Sequence, residues 1–241
     1  MVLVGTGLGG VVDSGVGGVS FGANTTVSNS TLDHNDATGG DNNTGTASVA
    51  GLVGAGAGAG LANFLGGTTN VSGSELDHGQ ARGGRGNTAS GAGAVFAGLG
   101  AGGGIFNFLG NYNSSVNGLL NASVVNVSGS TIDHNLAQGG GGGNGVGGGI
   151  ANVDSATTTV DSSSLTHNQA NGDGGGAGLG GGAYNDANSS LTLTVSVVTD
   201  NHANGAPGIG GGIYTVGTLI VDTFTLIDDN HASTADDNIG P

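Results

Sequence analysis

Apolar and polar residues alternate along much of this chain. In LTLTVSVV (191–198), Leu191, Leu193 and Val195 are separated by Thr192, Thr194 and Ser196, and the same period of two runs through SVVNVSG and TTTVDSS. Successive strand side chains point to opposite faces, so the pattern predicts short strands with an apolar inner face and a hydroxyl-rich outer one. Helical spacing is absent, and the many β-branched residues and glycines disfavour helix.

The strands recur in a fixed context. The stretch VSGSTIDHNLAQGG (127–140) has recognisable counterparts beginning at Val27, Val71, Val160, Leu193 and Val221. A second motif alternates with it: a run of small residues, an aliphatic residue, one variable residue and usually Asn. It reads GGVSF (17–21), AGLAN (59–63), GGGIFN (102–107), GGGIAN (147–152), GGGAYN (180–185) and GGGIYT (210–215). Six copies of each in strict alternation predict six units. From Val127 to Ile150 and from Val160 to Ala183 the spacing is 23, whereas from Val27 to Leu61 and from Val71 to Ile105 it is 34. A further insertion lies around NYNSSVNGLLN. Insertions confined to particular corners, with the motifs held, are the behaviour of a solenoid.

Each unit has room for about three short strands, none able to bury its face alone; stacking at about 4.8 Å per rung does so. The predicted fold is all-β: a single-domain parallel β-helix over 1–241, of about six rungs with Gly/Ala-rich corner loops. It is right-handed, as parallel crossovers are. Residues 1–18 form a partial N-terminal rung and 233–241 an acidic tail.

VSGSTIDHNLAQGG followed by GGGI-x-N resembles the repeats of bacterial right-handed β-helix surface proteins, both the polymorphic outer-membrane-protein type and the long repeat proteins of planctomycetes. The resemblance covers nearly the whole chain. It implies secretion and surface display, hence an extracellular or cell-surface location, and offers no catalytic residues to carry over.

Composition narrows the partners. Of 241 residues 57 are Gly, and 17 acids face only 2 basic residues, giving a net charge of −15. This excludes nucleic acid, which needs a basic stripe, and anionic membrane surfaces. Glycine at this level suits a disordered chain, but the 35% hydrophobic residues sit at fixed points of the repeat. With no cysteine there is no disulfide and no thiolate metal site. The opening MVLVGTGLGGVV has no basic n-region and reads as the middle of a strand rather than a signal peptide. Residues 86–132 lack any ionisable side chain except tyrosine, but their glycines and asparagines exclude a membrane span.

Stacking turns equivalent residues into columns. Asn35, Asn135, Asn168, Asn201 and Asn230 form an expected structural ladder, with Gly79 as the exception; a left-handed turn at this position would suit both residue types. Immediately before it lie Asp33-His34, Asp77-His78, Asp133-His134 and Thr166-His167. Imidazoles and carboxylates repeated at the rung spacing are candidate ligands for a divalent cation such as zinc or calcium; otherwise they form a solvated corner. No other cofactor is expected. Two similar insertions, 46–60 and 88–104, follow the same corner of successive rungs. They should lie side by side, with Val49, Leu52, Val53, Val95, Phe96 and Leu99 forming an apolar surface for self-association.

The fold also hosts polysaccharide lyases and hydrolases. Lyase chemistry of that type needs calcium-binding carboxylates and a base, and the chain's basic residues are Arg82 and Arg85 alone. A hydrolase would draw on Asp161, Asp173 and Asp222. The expected function is therefore non-enzymatic, adhesin-like or structural, with end-to-end self-assembly. Neighbouring copies and surface glycans are the expected partners, and a carbohydrate-active enzyme is the alternative.

Overall fold

A strand of three to five residues with one apolar face is stable only when the next turn of chain covers its edge and its core face. Every strand pairing in the structure is of this kind. The computed structural model describes residues 2–8, 12–14, 23–47, 50–91, 94–108 and 122–241. It is a parallel β-helix of six rungs, preceded by a partial rung.

Each rung crosses five faces rather than three. The first rung passes through Asn24–Ser28 on face one, Thr31–Asp33 on face two and Asp36–Thr38 on face three. It continues through Gly56–Ala57 on face four and Leu61–Phe64 on face five. Among the described residues, faces one to four each hold six strands and face five holds seven, stacked in unbroken sequence order. The two additional faces are built from the small-residue runs, whose sequence carries little alternation. Equivalent residues advance by 44 between the first two rungs, by 56 to the third and by 33 across the next two. Register survives because the extra residues leave at the corners.

Inward-facing Val27, Leu32, Leu61, Val71, Leu76, Ile105, Val127, Ile132, Ile150 and their counterparts fill the lumen as one cluster. Faces three and four approach so closely that a Cβ on Gly145 would stand 2.3 Å from the Asn171 carbonyl oxygen and 2.4 Å from that of Ala137. The facing column is Ala37, Ala81, Ala137, Ala170, Ala203 and Ala232. The flattened side of the rung is thus a backbone-to-backbone contact that admits only small residues.

A second core lies outside the lumen. On face five Leu61 and Asn63 point inward, so Ala62 and Phe64 point out, as do Phe106 and Phe108 one rung on. The insertions supply strands Ala50–Val53 and Ala94–Ala97, which with Val2–Val4 form a separate three-stranded sheet. Ala50 to Val53 pair with Ala94 to Ala97 in register, so the insertions do lie side by side. They cover the outer face: Leu52, Leu99, Phe64, Phe106, Phe108 and Val153 form one buried cluster.

Three expectations change. The aliphatic position of the partial rung is Val12, which pairs with Leu61, and not Val19; Gly17–Phe21 lies outside the described residues, as does the insertion NYNSSVNGLLN (111–121). Val195 does not continue its strand inward. It occupies a left-handed corner (φ +49°) and is exposed. Leu52 and Val53 have no exposed surface and Leu99 almost none, so they are core rather than contact surface. Phe96 is half-buried against the same cluster, and Val49 and the side chain of Val95 lie outside what the structure describes.

Phe106, fully buried between Phe64 and Phe108, should behave as a core residue of the covered face. Phe106→Ala is expected to lower the unfolding free energy by about 3–5 kcal/mol in urea titrations. Phe224→Ala, at a side chain 78% exposed, should change it by less than about 0.5 kcal/mol.

Candidate functional site

The corner between faces two and three is made of two residues. The first is the histidine column, and its backbone is left-handed: φ is +53° at His34, +50° at His78 and His134, and +52° at His167, with Asp200 and Asp229 continuing it. The expected left-handed position is therefore one residue earlier than the asparagines. Gly79 stands in the Asn column for a different reason, since a Cβ there would meet the Gly103 carbonyl oxygen at 2.3 Å.

The corner geometry sends Asn inward and His outward. Inside, the amides form a ladder. Asn135 Nδ2 donates to Asn168 Oδ1 (3.0 Å), Asn168 Nδ2 to Asn201 Oδ1 (3.0 Å) and Asn201 Nδ2 to Asn230 Oδ1 (2.9 Å). Each also donates back to a face-two carbonyl of the preceding rung, such as Leu76 or Ile132. Asn35 stands beneath Gly79, and its Nδ2 has no hydrogen-bond partner among the described residues. Asn238 of the tail occupies the next place after Asn230 and ends the ladder at 3.0 Å.

A second, fully buried ladder runs along face five. Asn63 donates to Asn107 (2.9 Å), Asn107 to Asn152 (3.0 Å), Asn152 to Asn185 (2.9 Å) and Asn185 to the Thr215 hydroxyl (3.0 Å). The recurrent Asn of the second motif carried that signal. A third series takes the backbone N–H of Ser30, Ser74, Ser130, Ser163 and Ser196 to the hydroxyl one rung on, ending at Thr225.

Outside the corner, the four imidazoles stack. Ring centroids are 4.7 Å apart for His34–His78, 5.0 Å for His78–His134 and 4.6 Å for His134–His167, with planes within 8° of parallel. Each of the first three has the carboxylate of its own rung beside Nδ1: Asp33 at 2.5 Å, Asp77 at 2.8 Å and Asp133 at 2.8 Å. His167, whose own rung offers Thr166, turns to Asp133 at 3.1 Å. Burial alone would raise the Asp133 carboxyl, but hydrogen bonds from Thr166, His167 and His134 outweigh it and hold the group below the usual range. Asp77 Oδ1 and His78 Nδ1 lie 2.8 Å apart, yet both are buried atoms with no hydrogen-bond partner among the described residues. The structure thus brings all seven sequence-predicted ligand candidates into one column.

The acids weighed for hydrolysis are not gathered. Asp161 accepts from Thr194 at 2.6 Å, and Asp222 caps the Thr225 hydroxyl at 2.7 Å, two rungs away on the same edge of face one. That hydroxyl, with backbone donors Val195, Phe224 and Thr225, holds Asp222 below the usual carboxylate range, the opposite of what a proton donor needs. Asp173 sits across the molecule in a groove of about 450 Å³ with Asp41, Arg82 and Arg85. There Asp41 accepts the Arg85 backbone N–H and Asp173 that of Gly141. Both carboxylates hold turns in place.

No helix among the described residues is long and apolar enough to cross a membrane. No protein-family model, curated protein or solved structure matches the chain. What fold and columns define is a parallel β-solenoid with buried amide ladders and an exposed imidazole–carboxylate edge.

Two outcomes follow. Asn168→Leu leaves the Asn135 N–H without its acceptor and removes one of the two bonds of Asn135 Nδ2 and one donor to the Ile132 carbonyl, and should cost more than about 2 kcal/mol of stability. Asn35→Leu should cost less than half as much in the same thermal-unfolding series. At the turn after face five, burial and the neighbouring Asp186 raise the Asp154 carboxyl. A raised folded pKa means the folded state holds the proton more tightly, so stability falls as pH climbs from the ordinary Asp value through the folded one. Asp154→Asn should therefore stabilise at neutral pH, by less than about 1 kcal/mol at this partly exposed site. The gain should vanish in melts below about pH 3.5, where both states are protonated.

Proposed function

We propose that the protein is a non-catalytic β-helix scaffold of the extracellular or cell-surface kind, structural or adhesin-like, whose rungs associate end to end with further copies of the chain. The observation that carries this reading is the C-terminal end of the stack. There the strands Thr218–Val221 and Leu226–Asp228 pair on one side only, leaving two adjoining sheet edges open. Val221, the last member of the lumen column Val27, Val71, Val127, Val160 and Leu193, is 37% exposed.

The flank beside those edges also changes character. Outward positions on the face-one side are Thr26, Asn70, Asn126, Thr159 and Thr192 in the earlier rungs and Ile220 in the last. At the start of face two, Thr31, Glu75, Thr131 and Ser164 give way to Val197 and Leu226, with Val195 and Phe224 at the adjacent corner. All five apolar side chains are exposed. Unpaired parallel edges beside exposed apolar residues favour addition of another strand layer. The layer that fits this cross-section at this register is another rung of the same kind, which makes a second copy the partner.

The tail limits where the contact forms. Asp237 Oδ1 takes the Ala232 N–H at 2.8 Å, and Ile239–Gly240 pairs with face five. On face three one backbone donor of the last strand is thus capped by the tail, while the last strands of faces one, two and five pair on one side only. A head-to-tail contact of this kind does not close on itself and propagates as a filament. The repeat resemblance to bacterial surface β-helix proteins supports the location, and the −15 charge supports solubility between assemblies.

Electron microscopy and sedimentation over a concentration series test the proposal. The expected result is filaments with a rung repeat of about 4.8 Å along the axis. Val221→Lys, which sets an ammonium at the open end of the lumen, should remain monomeric with an unchanged far-ultraviolet spectrum. Wild-type protein that stays monomeric throughout would remove the reading.

A further inference from the structure

We propose that the stacked histidine edge is a binding site for two divalent transition-metal ions of the zinc type, held by alternate imidazole–carboxylate triads. Three sets bring one oxygen and two ring nitrogens within 4.8 Å of one another: Asp33–His34–His78, Asp77–His78–His134 and Asp133–His134–His167. A tetrahedral ion with bonds of about 2.0–2.1 Å holds its donors roughly 3.4 Å apart. In the last triad the Asp133 carboxylate already lies 2.8 Å from His134 Nδ1 and 3.1 Å from His167 Nδ1. In the first, Asp33 Oδ1 is 2.5 Å from His34 Nδ1 and 3.8 Å from His78 Nδ1. Side chains that are about half exposed need only small rotations to close on an ion.

Three further features point the same way. Asp133 is oriented from behind by the Thr166 hydroxyl at 2.7 Å, the kind of outer partner that fixes a ligating carboxylate. The near-parallel rings and shared left-handed backbone hold all four imidazoles on one line before any ion arrives. His78 Nδ1 is a buried polar atom with no hydrogen-bond partner among the described residues, which an ion in the first triad would satisfy.

Sharing sets the stoichiometry. The first and last triads have no residue in common, whereas the middle one takes His78 from the first and His134 from the last. Filling both outer triads uses every histidine, so two ions bind and the middle triad stays empty. Two nitrogens and one oxygen suit zinc, copper or nickel rather than calcium, which prefers six to eight oxygens. Three protein donors leave the fourth position to water or an incoming ligand. The Thr166-supported triad should fill first.

Zinc titration of the metal-free chain by calorimetry, with bound zinc measured after gel filtration, tests this. Two equivalents are expected for the wild type. His78→Asn, which keeps a residue tolerant of the left-handed backbone, should hold one ion in the last triad. His167→Asn should hold one in the first, with the initial, tighter phase lost. The variant with all four histidines changed to Asn should hold none, and its far-ultraviolet spectrum reports whether it is folded. A folded quadruple variant that binds as much zinc as the wild type overturns the proposal, as does a wild type that binds none. One equivalent in the wild type, two retained by His78→Asn, or saturation by calcium at equal concentration would each overturn the alternate filling by a zinc-type ion.

Discussion

Everything in this chain depends on one requirement: the buried polar groups of a rung must find most of their partners in the rung above or below it. Parallel stacking places identical positions directly over one another, so a side chain that both donates and accepts can satisfy itself through its own repeats. Asn meets that requirement with an amide oxygen and two N–H donors, which is why both lumen ladders are built from it. An aliphatic residue in either column would leave neighbouring backbone groups unpaired inside a low-dielectric core, and a carboxylate would add uncompensated charge. The serine series applies the same logic with one donor at the corner of faces one and two.

The same geometry works differently on the outside. A column facing water has no need to satisfy itself, so its residue type is free to vary, and it does: the corner after face two reads His in four rungs and Asp in the last two. Stacking nevertheless brings those side chains within 5 Å of one another whatever they are. Where the column is His with Asp beside it, the repeat gathers imidazoles and carboxylates that no single rung could assemble. Hydrogen bonds to Asp133 from three groups show that the arrangement is already mutually supporting without an ion. A solenoid can therefore acquire an edge of repeated chemistry by point changes in one column, while the lumen that fixes the spacing stays untouched.

Much of this was legible because the repeat is strict. Alternation in 191–194, the recurrence of VSGSTIDHN and GGGIxN, and corner-confined insertions were enough for rungs, register and the aligned Asp-His pairs. The number of faces was not legible, since Gly56–Ala57 and Gly145–Val146 form strands through backbone crowding that leaves no hydrophobic alternation to read. Nor was the side to which an apolar residue points at a corner: Val195 continues the period of two on paper, but a positive φ turns it outward. The insertions misled for a related reason. Their Leu and Val residues have no visible partner in sequence, and the partner is the outward side of face five, where Phe64, Phe106 and Phe108 alternate with lumen residues such as Leu61 and Asn107. A strand with both faces apolar signals a second layer, and AGLANF and GGGIFNF carry that signal.

That second layer also explains how the two halves of the molecule differ. The cover sheet extends over the early rungs, where face five presents phenylalanines. Further along the stack the outward position is Tyr184 and then Tyr214, stacked 5.4 Å apart and only half-buried. Burial, with Asp186 and Tyr214 nearby, pushes the Tyr184 hydroxyl up to about 12. The apolar flank of Ile220, Phe224 and Leu226 is likewise confined to the uncovered end. In the early rungs, then, apolar groups outside the lumen are covered by the chain's own insertions. In the late rungs they are left to whatever lies beside or beyond the stack. The asymmetry gives the solenoid a direction, with a self-covered flank over the early rungs and an exposed apolar flank at the last ones.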